Sequence, residues 1–308
     1  MKGNGVSEQK RKKKLLKFAF YLGLIALPVL QYIIFYVYVN FNSFVLAFEK
    51  VDIYGNVDFV GFDNFQQAIS DLFNEVRFAY FARNSMKIYV ATLGVGLPLA
   101  YMFSYYIYKK GPLSGVYKTV LYIPQIVSSV VLVAIYKVIM DYGYPAIVKA
   151  ITGETVLGLY TDDKTMFDCI LVFTIWAGFG TQVLMYLSAM SGINQSVVEA
   201  AELDGVGYFS EMWYITIPMT FTTLSTFLIV SVAGYFNNQM NLFSFGGQFV
   251  DQRYQTFGYY LYRELKVYAA DQTKWPYLSA LGLIFTMVAV PITFGVRWLL
   301  GKLGPKQE

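Results

Sequence analysis

There is no histidine anywhere in the 308 residues, and only one cysteine, Cys169. Without histidine the chain lacks the usual metal ligand and the usual proton shuttle near neutral pH. A lone cysteine excludes an internal disulfide and a cysteine-held cluster; Cys169 opens an apolar run, where a packing role is expected. Charge is scarce too: 14% of residues are charged, against about a quarter in a soluble domain. Apolar residues make up 56%, and they come in long runs. As a helix, about 20 apolar residues cross a bilayer core of roughly 30 Å. The alternating segments of about 10 residues that build a transmembrane barrel are missing. The expected fold is therefore an all-α polytopic membrane protein.

Six transmembrane helices are predicted, at about 17–39, 84–107, 117–140, 167–190, 213–236 and 279–300. The first is too long for a signal-peptide core and has no small-residue cleavage site after it, so it is expected to be retained. Lys and Arg in short flanking loops set orientation. Lys10-Arg11-Lys12-Lys13-Lys14, Lys109, Lys110, Lys118, Arg297, Lys302 and Lys306 fall on one side, which is expected to be cytoplasmic. The loop 141–166 on the other side holds Asp141, Glu154, Asp162 and Asp163 against Lys149 and Lys164. Both termini are thus expected in the cytoplasm of a multi-pass protein of the plasma membrane. The divisions are a basic tail (1–16), a transmembrane domain (17–303) with an inner loop (191–212), and a short tail (304–308). That inner loop is acidic and has no basic residue, which singles it out.

Outside the spans, Asp63 or Asn64 is placed to cap an amphipathic helix ending near Leu72-Phe73. The aromatic segment 237–278 closes on Trp275-Pro276-Tyr277 and fits an interfacial belt. Lys87 and Lys137, near outer helix ends, are expected to snorkel. Within or at the ends of spans stand Pro28, Pro98, Pro124, Pro218 and Pro291, each removing a backbone donor and favouring a kink.

The inner loop between the fourth and fifth spans carries the most information. Ser196 to Leu203 reads as a helix, with Ser196 as cap and Glu199 three residues on as a capping box. Gly205 then allows a turn that a side chain resists by roughly 1–2 kcal/mol. A second short helix is predicted from about Phe209, with Pro218 where the fifth span begins. This helix–turn–helix would lie across the membrane face. Ala200 and Ala201 would keep one side slim enough for a groove on another protein, and Glu199 would meet a cation there.

Glu199-Ala200-Ala201, Gly205, Ile215 and Ile217-Pro218 have the spacing of the signature of binding-protein-dependent ABC importer permeases. Ile217 stands where Leu is common. The chain also resembles the maltose and multiple-sugar type elsewhere: in Phe59-Val60-Gly61-Phe62-Asp63-Asn64-Phe65, Leu121-Tyr122-Ile123-Pro124, Trp176-Ala177-Gly178, and Asn241-Leu242-Phe243-Ser244-Phe245-Gly246-Gly247. The resemblance extends over roughly residues 15–303 and is to the first of the two unlike permeases of such systems. Gln248 and Asn194 stand where the family has proline.

What the resemblance implies is an ATP-driven carbohydrate importer, for a di- or oligosaccharide, working by alternating access. Its loop, with Glu199, Ala200, Ala201, Asp204, Gly205, Ile215 and Pro218, would dock on a cytoplasmic ATPase, Glu199 pairing with an arginine there. Partners would be a second permease, two ATPase copies and an extracellular substrate-binding protein. The chain would bind no cofactor or metal itself, ATP and magnesium belonging to the ATPase subunits, and would be no enzyme. Nucleic acid is not an expected partner.

For the pathway, Thr174, Gly178, Thr181 and Gln182 share one helical face, and the family position of Gly178 borders the sugar. The threonines suit interhelical hydrogen bonds equally. Asn237, Asn238 and Gln239 offer hydroxyl partners or an ordinary helix end, and Tyr235 and Phe236 could stack on a sugar face. Alternatives are a glycerol-phosphate or other polar-solute permease, and a secondary ion-coupled transporter. The latter would want inverted repeats and buried acids, which are missing. A membrane-embedded enzyme would want a His, Cys or carboxylate cluster in the spans. A self-sufficient ATPase would need a phosphate loop, but Gly301-Lys302 lacks the earlier glycine.

Overall fold

In a computed structural model, residues 3–305 are described, with side chains from Lys12 onward. Lys306 and the side chains of Lys10 and Arg11, used for orientation, lie outside the described residues, as do the ends of both tails. The chain forms two compact units.

The first unit holds the residues up to Ala68 together with Ala270–Leu283. Helix α1 runs Gly3–Tyr32, widens into a π turn at Ile33–Tyr38 and continues as Val39–Leu46. Its apolar stretch, Lys12–Leu46, is longer at both ends than predicted. An antiparallel pair follows, β1 (Glu49–Val51) on β2 (Val57–Phe59), with Lys50 opposite Asp58. Helix α2, Asp63–Asn74, starts at the predicted place. Asn64, offered as a cap, instead donates its amide to the Ala47 and Glu49 carbonyls at 3.0 and 2.7 Å, fastening the helix to the strand pair. Phe48, Phe62 and Phe65 pack there with centroids 5.1–5.7 Å apart.

The second unit holds Ile69–Ala269 and the chain from Ile284. Its apolar helices are α3 (Val76–Tyr108), α5 (Ser129–Thr152) and α6 (Met166–Ser191). Two predicted spans are not continuous. The third is cut at Val127 and Ser128, whose backbone is extended, leaving α4 (Ser114–Ile126) before the cut and α5 after it. Pro124 removes a donor in the last turns of α4, so the ladder is already weakened there. Helix α5 then runs on to Thr152, so the first part of the predicted loop 141–166 is helical. The fifth span is cut at Thr220: α8 (Tyr208–Met219) meets the following helix at 72°, and α9 (Phe221–Asn237) is the first part of that helix. The Pro218 pyrrolidine sits in the last turn of α8, immediately ahead of this bend. With the bent pair taken as one, six segments among the described residues are long and apolar enough to cross a membrane, the last being α12 (Gln272–Leu303).

Two buried clusters organise this unit. One gathers Phe173 and Ile170 of α6 with Tyr136 of α5 and, after α9, Leu242 and Phe245. Leu242–Gly246 forms short α10 and Phe257–Val267 forms α11. The other joins Tyr101 and Tyr105 of α3 to Tyr186 and Met190 of α6 and to Val198 and Met212. The Asn84 amide of α3 donates to the Arg253 and Gln255 carbonyls at 2.8 and 2.9 Å, tying α3 to the loop before α11. Lys137 does not snorkel: its ammonium reaches the Phe245 carbonyl at 3.2 Å and lies 4.5 Å from the Tyr160 ring. Lys87 likewise sits over the Phe167 ring.

Candidate functional site

The acidic loop forms the predicted hairpin. Helix α7 spans Gln195–Leu203, and the chain then turns through Asp204 and Gly205, the glycine being left-handed at φ +72°. The Gly205 and Val206 amides donate to the Glu202 and Ala201 carbonyls at 3.1 and 3.0 Å, closing the turn before α8. The cap is Asn194, not Ser196. Its Oδ1 accepts from the Ser196 amide at 3.1 Å and the Ser196 hydroxyl at 3.0 Å. Asn194 has extended backbone, as an N-cap needs, whereas Ser196 is already inside the helix.

The two alanines do not share a face. Ala201 is buried with Val198 three residues earlier, while Ala200 is exposed beside Glu199. Successive helical positions diverge by about 100°, so the slim outward side expected of both belongs to Ala200 alone. Glu199, Asp204 and Gly205 are exposed, and Glu199 makes no ion pair among the described residues. Ile215 and Pro218 of α8 are half-buried.

The pathway residues divide. A cavity of about 490 Å³ opens at the cut between α4 and α5, and Thr174, Gly178 and Gln182 of α6 line it with Asn238. Thr181 is exposed and does not line it. Tyr235 and Phe236 line a separate apolar cleft with Phe257 and Phe285, Phe236 stacking on Phe285 at 5.0 Å. Asn237 closes α9 and lines neither.

Four polar residues on this cavity escaped the sequence reading: Thr92, Gln125, Ser129 and Asn241. Gln125 follows Pro124 directly, and a polar residue beside a proline in an apolar run is the signal that could have found it. Its amide donates to the Ala177 carbonyl of α6. Thr92 opens a π turn, Thr92–Gly96, inside α3. Interrupted ladders of this kind concentrate at functional sites because they free backbone groups and re-aim side chains. Thr174 donates to the Ile170 carbonyl at 2.9 Å, and the Asn238 Oδ1 accepts from the Met240 amide at 2.8 Å. Among the described residues, no charged one lines the cavity. Close to these lining residues α4 and α6 touch: a Cβ at Gly180 would overlap the Leu121 carbonyl.

The sequence pattern of the family described as "Binding-protein-dependent transport system inner membrane component" matches residues 95–308. The chain belongs to that family. Its members are membrane permease subunits of ABC transporters and are not enzymes themselves. Protein LplB of Bacillus subtilis is 25% identical over 92% of this chain and 89% of its own. The polygalacturonan/rhamnogalacturonan permease YteP of the same organism is 24% identical, covering 73% of this chain and 72% of its own. Among solved structures, a chain of a bacterial ABC transporter that imports the acidic polysaccharide alginate superposes with a TM-score of 0.75. It is 20% identical and covers 95% of this chain and 99% of its own. The all-α polytopic fold is thereby matched across nearly the whole permease.

Proposed function

We propose that this permease moves an oligosaccharide inward through the α4–α5 cavity, driven by ATP hydrolysed on separate subunits. The observation that carries the substrate class is the lining of that cavity. Amides and hydroxyls from Thr92, Gln125, Ser129, Thr174, Gln182 and Asn238 converge there, with no charged side chain among the described residues lining it. Sugar hydroxyls both donate and accept, and an amide or hydroxyl side chain answers both. A phosphorylated solute would call for Arg or Lys, which supply charge-assisted bonds. The glycerol-phosphate alternative therefore ranks second.

Relatives support the same reading. Curated relatives include permeases for arabinooligosaccharides and for maltose and maltodextrin. A second solved structure shows a bacterial alginate ABC transporter in complex with an alginate pentasaccharide-bound periplasmic protein. By analogy the working assembly here has a second, unlike permease, two ATPase copies carrying ATP and magnesium, and an extracellular binding protein. The positive-inside rule supports a cytoplasmic α7–α8 hairpin and cytoplasmic termini, since Lys109, Lys110, Lys118, Arg297 and Lys302 all fall in or beside the short segments assigned to that side by the sequence. The exposed Glu199 then waits for a cation on the ATPase. ATP-driven closure of that subunit moves the hairpin, and the cavity changes sides.

The test uses the assembled complex in liposomes. Calorimetry on a panel of oligosaccharides first finds what the cognate binding protein takes. That sugar should then enter only when ATP is available on the hairpin side. Uptake driven by an ion gradient without ATP would refute the proposal.

A further inference from the structure

One cation straddles both arms of the hairpin. Lys109, the first residue after α3, lies 2.9 Å from the Glu202 carboxylate of α7 and 2.9 Å from the Glu211 carboxylate of α8. The two halves of this trio are unlike. The Glu211 side chain is 3% exposed and that of Lys109 17%, whereas Glu202 is 59% exposed. Lys109 is the cation that compensates the charge of Glu211, whose second oxygen, Oε1, is buried. A buried charge stripped of its partner is strongly unfavourable, whereas an exposed pair is screened and easily broken. The α3 end grips α8 a second time: the Tyr105 hydroxyl donates to the Tyr208 carbonyl at 2.9 Å, with their rings 4.6 Å apart. Helix α3 in turn packs along α6, where the Ser104 hydroxyl reaches the Val183 carbonyl at 3.0 Å. Both helices line the cavity, through Thr92 and Gly96 of α3 and Thr174, Gly178 and Gln182 of α6.

We propose that Lys109 is a positioning residue for transport: a pivot that holds α8 fixed through Glu211 while letting α7 tilt through the breakable contact to Glu202. Displacement of the exposed hairpin is thereby passed to α3 and on to the cavity wall. A bond buried on one side and exposed on the other suits a hinge, because one half persists while the other exchanges with water. The inference rests on the functional reading above, in which the hairpin is the docking point of the ATPase.

The experiment uses the assembled complex, with Cys169 replaced by alanine and Ser129→Cys as reporter on the cavity. The probe is a membrane-impermeant methanethiosulfonate, and ATP hydrolysis is measured in parallel. In the otherwise unaltered complex, ATP should change the labelling rate by about tenfold, the ordinary size of an allosteric coupling. K109M/E211Q removes both charges together, so no carboxylate is left buried and unpaired. It should assemble and hydrolyse ATP, yet its labelling rate should shift by no more than about twofold with ATP. K109R should restore the ATP dependence, and E202Q should keep most of it.

A full ATP response in K109M/E211Q would overturn the pivot. Loss of assembly in that variant with K109R intact would also overturn it, by assigning the trio to folding. If the unaltered complex itself labels identically with and without ATP, the functional reading fails instead.

Discussion

Replacing Gly205 by alanine and, separately, by asparagine distinguishes two reasons why the hairpin turn has glycine. The residue sits at φ +72°, and a Cβ built there meets nothing within 4 Å of the chain's own atoms. Within the protein the cost of a side chain is therefore conformational and not steric. For an ordinary residue the left-handed conformation costs roughly 1–2 kcal/mol. Spent on this turn, that lowers the population of the closed hairpin by a factor of about 5–30. Asparagine tolerates the left-handed region far better than alanine, although it is larger. If backbone geometry rules, ATP-driven uptake in liposomes should fall in Gly205→Ala and be largely kept in Gly205→Asn, with equal amounts of permease inserted. The reverse order, alanine active and asparagine dead, would refute this reasoning. It would place the demand for glycine in the space left to a docked partner.

Glu199→Ala should abolish uptake without reducing insertion or expression, because the side chain has no ion-pair partner among the described residues to lose; quantitative membrane blotting beside an uptake assay checks both. Gly180→Ala should lower thermal stability in detergent by about 1–3 kcal/mol, since its Cβ would overlap the Leu121 carbonyl of α4 and force the helices apart. An unchanged melting temperature would contradict that contact. Gln182→Leu should cut uptake while leaving sugar affinity of the binding protein, measured by calorimetry, as it was. Burial draws the Lys109 ammonium down, but hydrogen bonds to Glu211 and Glu202 outweigh it, and the group titrates above its ordinary 10.5. A raised lysine contributes stability fully below 10.5 and loses it as pH climbs through the raised value. The melting-temperature gap between the natural chain and K109M/E211Q, which leaves no unpaired buried carboxylate to titrate, should thus stay constant from about pH 6 to pH 9 and shrink only above 10.5.

What could be read without coordinates was what depends on local periodicity and fixed spacing. Apolar runs located the spans, because a bilayer demands a length of hydrocarbon-compatible helix whatever its neighbours do. The run from Glu199 to Pro218 announced the hairpin, because a helix, a left-handed glycine and a proline-marked bend are each specified by residues close in the chain. Local reading failed where one residue's competitor stood two places away: Asn194 took the cap because its own backbone is extended, and Ala201 turned inward with Val198. Only the tertiary structure decided the cavity, since Thr92, Gln125, Ser129 and Asn238 meet there from segments whose separation no periodicity encodes. The same holds for Lys109, whose partners lie 93 and 102 residues away along the chain. Charges so far apart in sequence meet only when α3 packs on α6 and its end reaches α8.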